Sequence, residues 1–121
     1  MQNYEIVLYI TEDGKNPVRD FLNSLDEKMQ AKIARTIGLV AEKGIRLREP
    51  YSKHLEDGIF ELRTKVGKGI SRVLYFFVIG RKIVLTNGFI KKTRRTPPGE
   101  IERAKAYRAD YLARKEKDQR D

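Results

Sequence analysis

The chain has 121 residues, of which 40% are hydrophobic and 36% charged, with a net charge of +9. This length fits one globular domain, residues 1–121, and the absence of cysteine excludes disulfides, thiolate zinc sites and a cysteine nucleophile. The charge makes a polyanion the expected partner, and RNA, DNA and an acidic protein surface are all compatible with it.

The N-terminal segment predicts a strand. Residues Tyr4 to Ile10 are rich in β-branched and aromatic side chains, and turn-forming residues follow at positions 11–14. The apolar run is too short for a signal peptide or a membrane span. We therefore expect a cytoplasmic protein.

Two helices are predicted after this strand. Asn16-Pro17 supplies an N-cap and a proline for the first position of a short helix. Ser24 and Glu27 have the spacing of a capping box ahead of a second helix that ends near Gly44. Apolar residues recur at helical spacing in both segments, which predicts a helical hairpin covering one face of a sheet.

The second half of the chain predicts an antiparallel meander. A loop from Ile45 to Gly58, containing the only histidine, His54, precedes three β segments: Ile59–Val66, Ile70–Ile79 and Lys82–Ile90. The separators between these segments are short enough for hairpins. A last helix is predicted after Pro98, with fraying expected in the polar tail beyond Ala113. The fold class is therefore α+β.

The positive charge is concentrated in the segment from Leu62 to Gly99, which contains ten basic residues and no acidic residue. The remaining 16 basic and 17 acidic residues carry a net charge of −1. If the three strands are adjacent, these cations can converge at one edge of the sheet. Such a cluster would attract a phosphodiester and stabilise extra charge on a phosphate under attack. A solvated strand face, or guards against edge aggregation, is the alternative interpretation.

Five residues in this half of the chain are candidates from their own surroundings. Arg72 begins a strand that is apolar on both faces, so packing should hold it rigidly. In a positive cluster the neutral amine is favoured, so Lys91 or Lys92 could transfer a proton. His54 is a further candidate for proton transfer, with a surface role as its alternative, and the expectation for Tyr75 is core or pocket wall.

Several motifs in order resemble the phage-derived, HigB-like branch of the RelE/ParE toxin superfamily. The similarity spans about residues 4 to 112, and it depends on the order and spacing of the motifs together. The motifs are N-P-V-R-D-F-L from Asn16, H-L-E-D-G-I-F-E-L-R from His54, R-V-L-Y-F from Arg72, G-F-I-K-K-T-R-R-T-P from Gly88 and E-I-E-R-A from Glu100.

The resemblance implies a RelE-like fold and the toxin of a type II toxin–antitoxin system. It further implies an endoribonuclease that cuts mRNA in the ribosomal A site, by attack of the ribose 2′-OH on the adjacent phosphate, with no metal or cofactor. By motif position, Arg72 would stabilise the charged phosphate, Arg63 would assist from the preceding strand, and Lys91 and Lys92 would form the basic pair closing the last strand. The further candidates for RNA contact are Lys65, Lys68, Arg94, Arg95 and Tyr75.

One departure from the RelE pattern leaves the general base open. RelE-type members have a tyrosine a few residues beyond the basic pair, whereas this chain has Thr96-Pro97-Pro98 there. The candidates for the base are therefore Lys91, Lys92 and His54.

Partners and alternative functions follow from the same resemblance. The implied partners are a helix-turn-helix antitoxin similar to HigA, mRNA and the ribosome, with no membrane, and the toxin would be a monomer alone or part of a complex with the antitoxin. The alternatives are a ParE-like inhibitor of DNA gyrase and an RNA-binding protein without catalysis, because fold alone does not distinguish these functions.

Overall fold

The protein is described by a computed structural model covering residues 3–91 and 94–120, without the side chains of residues 66, 119 and 120. The elements are β1 (Glu5–Leu8), α1 (Pro17–Asn23), α2 (Glu27–Lys43), a 3-10 turn (Gly44–Arg46), β2 (Ser52–Glu56), β3 (Ile59–Val66), β4 (Gly69–Val78), β5 (Lys82–Lys91) and α3 (Pro98–Arg120). The predicted α+β class is confirmed, and the element order is consistent with a RelE-like fold. No helix within the described residues has the length and apolar character needed to cross a membrane.

The five strands form one sheet in the order β1-β5-β4-β3-β2. Strands β2 to β5 are an antiparallel meander, and β1 adds to its edge parallel to β5. Strand β4 is central, with Arg72 directly opposite Arg63 on β3 and Phe89 on β5. This register brings the basic ends of three strands together.

Helices α1 and α2 cover one face of the sheet, as the sequence predicted. Val18, Ile33 and Val40 are fully buried against sheet residues that include Val73 and Tyr75. The approach of α1 to β5 is close, because a Cβ atom at Gly88 would lie 2.5 Å from the Phe21 ring. A larger residue at position 88 would therefore force the Phe21 ring, or the helix that carries it, to shift.

Helix α3 covers only part of the opposite face. Its Ala104 is buried in a cluster that includes Leu74, Phe76 and Val84. These residues lie along the middle of the central strands, whereas Arg72 and Lys91 lie beyond them toward the β3–β4 hairpin. The basic end of this face is therefore not covered by the helix.

The structure corrects two predictions about local structure and confirms a third. Asn16 caps α1 as predicted, and its side chain accepts a hydrogen bond from the Arg19 amide at 3.1 Å. The predicted capping box at Ser24 is wrong, because Asp26 is the N-cap of α2 and accepts from the Met29 amide at 2.8 Å.

The second correction concerns the predicted loop from Ile45 to Gly58, which in fact contains the 3-10 turn and the edge strand β2. His54 therefore lies on a strand. At the other end of the chain, α3 extends to Arg120, and fraying beyond Ala113 stays a prediction.

Candidate functional site

The uncovered end of the α3 face forms a cleft of about 370 Å³, called the main cleft below. Among the described residues that line it, every one except Ile70 is basic: Lys53, Arg63, Lys68, Arg72, Lys91 and Arg94. Six cations around one opening create a strongly positive potential, since the low-dielectric walls of a cleft focus the field. The main cleft is therefore suited to bind a phosphate or another polyvalent anion.

Arg72 lies at the floor of the main cleft, and its side chain is only 2% exposed. Its Nη1 donates to Glu61 Oε1 at 3.3 Å, to Thr96 Oγ1 at 3.2 Å and to the Arg94 carbonyl at 3.2 Å. Packing and hydrogen bonds together therefore fix the guanidinium. A cation fixed in this way needs little reorganisation when charge develops on a bound group.

Glu61 is a site residue that the sequence analysis missed. Its carboxylate is completely buried and accepts from Arg63 Nε at 2.8 Å as well as from Arg72. A buried carboxylate is tolerated only when it is paired and hydrogen-bonded, and here two arginines satisfy it. Glu61 immediately precedes the segment that contains no acidic residue, so a count of the charges in that segment did not include this carboxylate.

Thr96 connects the segment before α3 to this buried pair. Its side chain is buried, and its hydroxyl donates to Glu61 Oε1 while accepting from Arg72 Nη1. In the sequence, Thr96 is notable only because it lies in the segment where RelE-type proteins have a tyrosine. In the structure it holds the backbone that presents Arg94 and Arg95 next to the main cleft.

The other basic candidates are distributed around the opening. Lys68 lies on the tight hairpin between β3 and β4, Lys91 at the end of β5, and both line the main cleft. Lys65 is exposed and in register with Ile70, at the margin of the cleft. Lys92 lies outside the described residues.

His54 is not brought together with Arg72. Its exposed ring packs edge-on against Phe60 at 5.0 Å, and Nε2 accepts a hydrogen bond from the Gly58 amide at 3.2 Å. His54 and Arg95 both line a smaller neighbouring cleft of about 190 Å³, called the side cleft. As a candidate base, His54 is thus displaced from the fixed arginine.

Tyr75 lies in the core, in agreement with one of its two predicted roles, and its buried ring offers no accessible surface for the other, an RNA contact. Its ring is 1% exposed and packs in the core beneath α1 and α2, on the face opposite the main cleft. The hydroxyl is 2.5 Å from Ser52 Oγ, and burial raises the pKa of Tyr75 to about 12. The side chain therefore packs on the α1–α2 face of the sheet and contributes to the core.

The described residues do not offer a set of metal ligands. Within residues 3–91 and 94–120, no group of three or more histidine, aspartate or glutamate side chains is placed to hold a metal ion. The buried carboxylate of Glu61 is already engaged by two arginines and a hydroxyl. The chemistry offered by the described part of the main cleft is the binding of anions by cations.

A comparison with known protein families identifies the chain. The family model of phage-derived Gp49-like proteins matches residues 20–109, which is more than half of the sequence and contains Glu61, Arg63, Arg72 and Lys91. The chain matches no curated protein sequence. The chain therefore belongs to the phage-derived Gp49-like family, a toxin-like family related to the RelE/ParE toxins.

Proposed function

We propose that this protein is the toxin of a type II toxin–antitoxin system and that its main cleft cuts mRNA on the ribosome. The observation that carries the proposal is the composition of the main cleft. There the fixed Arg72 is surrounded by five further cations, and no carboxylate occurs among the described lining residues. Membership of a toxin-like family supports the first half of the proposal, that the protein is a toxin. Translation would be inhibited in the cytoplasm.

In the proposed reaction the ribose 2′-OH attacks the adjacent phosphorus and the 5′-oxygen of the next nucleotide leaves. Negative charge grows on the non-bridging oxygens during the attack, and Arg72, with Arg63 and the neighbouring lysines, would stabilise that charge. Glu61 acts as a positioning residue, because its carboxylate contacts both arginines.

Proton transfer completes the proposed reaction, since the 2′-OH must lose a proton and the 5′-oxygen must gain one. A neutral lysine can accept the first proton, and a protonated lysine or a water molecule can give up the second. Lys91 lines the main cleft and is the candidate base best placed beside Arg72. Lys92 is the second candidate from the sequence.

The same surface suggests how the toxin is held inactive. An acidic segment of a helix-turn-helix antitoxin would bind the main cleft and occupy the position of the RNA phosphates. Expression with the neighbouring gene should give a complex that elutes as one species and dissociates at high salt. A toxin that is harmless and stable when expressed alone would count against this pairing.

Cleavage is tested by inducing the protein and mapping mRNA 5′ ends, followed by single-turnover cleavage on programmed ribosomes. We expect new ends at codons in the A site. Arg72→Lys keeps a cation beside Glu61 but loses the planar fork, so the cleavage rate should fall roughly 10²- to 10³-fold with the fold intact. The matched control is Arg35→Lys on the exposed surface of α2, which should leave the rate unchanged.

Two results would contradict the proposal. Intact mRNA during growth arrest, with gyrase captured by the protein, would support a gyrase inhibitor instead. An unchanged rate in a folded Arg72→Lys variant would remove Arg72 from the reaction.

A further inference from the structure

We propose that the side cleft is a second RNA subsite, which binds the nucleotide next to the reacting phosphate. This inference rests on the proposed function in one respect, namely that the ligand of the main cleft is RNA. The ligand class is a nucleotide within a chain, with a phosphate held by cations and a ribose or base on an apolar surface.

The two clefts are continuous. Lys53, Arg63 and Arg94 line both of them, so the clefts share a wall of three cations. The Arg94 carbonyl accepts from Arg72 Nη1 at 3.2 Å, which fixes the backbone at this shared wall. A polymer whose phosphate lies over Arg72 therefore meets the side cleft at its next residue.

The charge of the side cleft favours an anion. Arg94 and Arg95 are both exposed there, and the described ion pairs include neither of them. Glu56 is the acidic residue among the described residues of the lining, and its carboxylate is already paired with Lys105 Nζ at 2.5 Å. The side cleft thus has cations available for a ligand and a carboxylate that is compensated from outside.

Apolar side chains distinguish this cleft from a simple anion site. Half-buried Leu55 from β2 and Ile101 from α3 contribute to its lining beside the arginines. By contrast, the main cleft has Ile70 as its one apolar lining residue among those described. A nucleotide offers both a phosphate for the arginines and a ribose or base for the aliphatic side chains. An acidic peptide would pair its carboxylates with the arginines and leave the aliphatic surface unused, so a nucleotide fits this cleft better.

Non-cleavable 2′-O-methyl oligonucleotides test the second subsite, with affinity measured by fluorescence anisotropy at several salt concentrations. A dinucleotide has one phosphate and a trinucleotide has two. For the wild-type protein, the trinucleotide should bind at least fivefold more tightly, with a log–log salt slope steeper by about 0.7. In the Arg95→Ala variant the trinucleotide should lose both its higher affinity and its steeper salt slope. The affinity for the dinucleotide should change less than twofold.

The variants are matched to separate the site from net charge and from folding. Arg35→Ala removes an equal charge from α2 and should keep the trinucleotide advantage. Arg95→Lys should restore the salt slope, and circular dichroism should show the same fold for all variants. Two further trinucleotides each have an abasic residue at one end. The trinucleotide whose abasic residue occupies the side cleft should bind about fivefold more weakly than the intact trinucleotide, because the lost base no longer contacts the apolar surface.

The possible outcomes separate this inference from the proposed function. Equal affinity for the dinucleotide and trinucleotide would overturn the second subsite even if mRNA cleavage is observed. Binding of an acidic peptide that depends on Arg95, without the trinucleotide advantage, would overturn it in favour of a peptide site. A trinucleotide advantage in a protein that cuts no mRNA would support the subsite and refute the nuclease.

Discussion

Arg72 and Glu61 form an ion pair with almost no exposure to water, and this burial makes the pair matter for stability as well as for function. Two charges removed from water lose their hydration, and their mutual attraction offsets this loss only while both partners are present. Arg63 and Thr96 complete the set of hydrogen bonds around Glu61. Removing any one charge leaves a partly unpaired group inside the protein.

Arg72→Ala should lower the free energy of unfolding by about 3–5 kcal/mol, since the buried carboxylate of Glu61 then retains only Arg63 as a charged partner. Urea unfolding followed by circular dichroism measures this change. The exposed Arg95→Ala is the matched control and should stay within about 0.5 kcal/mol of wild type. An Arg72→Ala protein as stable as the control would mean that the ion pair contributes no net stability.

At the level of single elements, local signals predicted most of the helices and strands. The bounds of β3 agree with the sequence prediction because its apolar residues alternate and glycine-containing turns flank it. Strand β2 was missed because Ser52–Glu56 is mostly polar. It forms by hydrogen bonding to the free edge of β3, and in the adjoining turn the Arg63 amide donates to the Tyr51 carbonyl at 2.7 Å. Such pairing depends on a partner strand, which hydropathy along one segment does not reveal.

The start of α2 allows a direct comparison of the predicted and observed caps. Asp26→Ala should destabilise the protein by about 1 kcal/mol, because the Met29 amide loses its acceptor. Ser24→Ala should cost less, since the Ser24 hydroxyl donates to the Phe21 carbonyl at the end of α1 and does not cap α2. Urea midpoints of both variants decide the matter. A larger loss for Ser24→Ala would favour the capping box that the sequence suggested.

For the whole molecule, the convergence of the basic residues followed from the sequence, but the organisation of the cleft did not. Short hairpins force neighbouring strands together, so the charges on β3, β4 and β5 had to lie close in space. The pairing of Glu61 depends on the register between β3 and β4 and on the position of Thr96 before α3, and both are properties of the tertiary structure. For the same reason the strongly basic segment contains one arginine that is buried and paired, alongside cations that remain accessible.

The arrangement of charge, rather than its total, should therefore govern RNA binding. Replacing Lys53, Lys68 and Lys91 by Gln lowers the net charge from +9 to +6 within the main cleft. Replacing Lys28, Lys32 and Lys43 on α2 makes the same change on the opposite face of the sheet. The slope of log affinity against log salt concentration falls by about 0.7 for each phosphate of single-stranded RNA that a cation no longer neutralises. The slope should therefore fall by about 2 in the cleft variant and by much less in the α2 variant. Binding of a non-cleavable RNA, titrated from low to high salt, measures both slopes, and equal decreases in the two variants would show that net charge alone attracts the RNA.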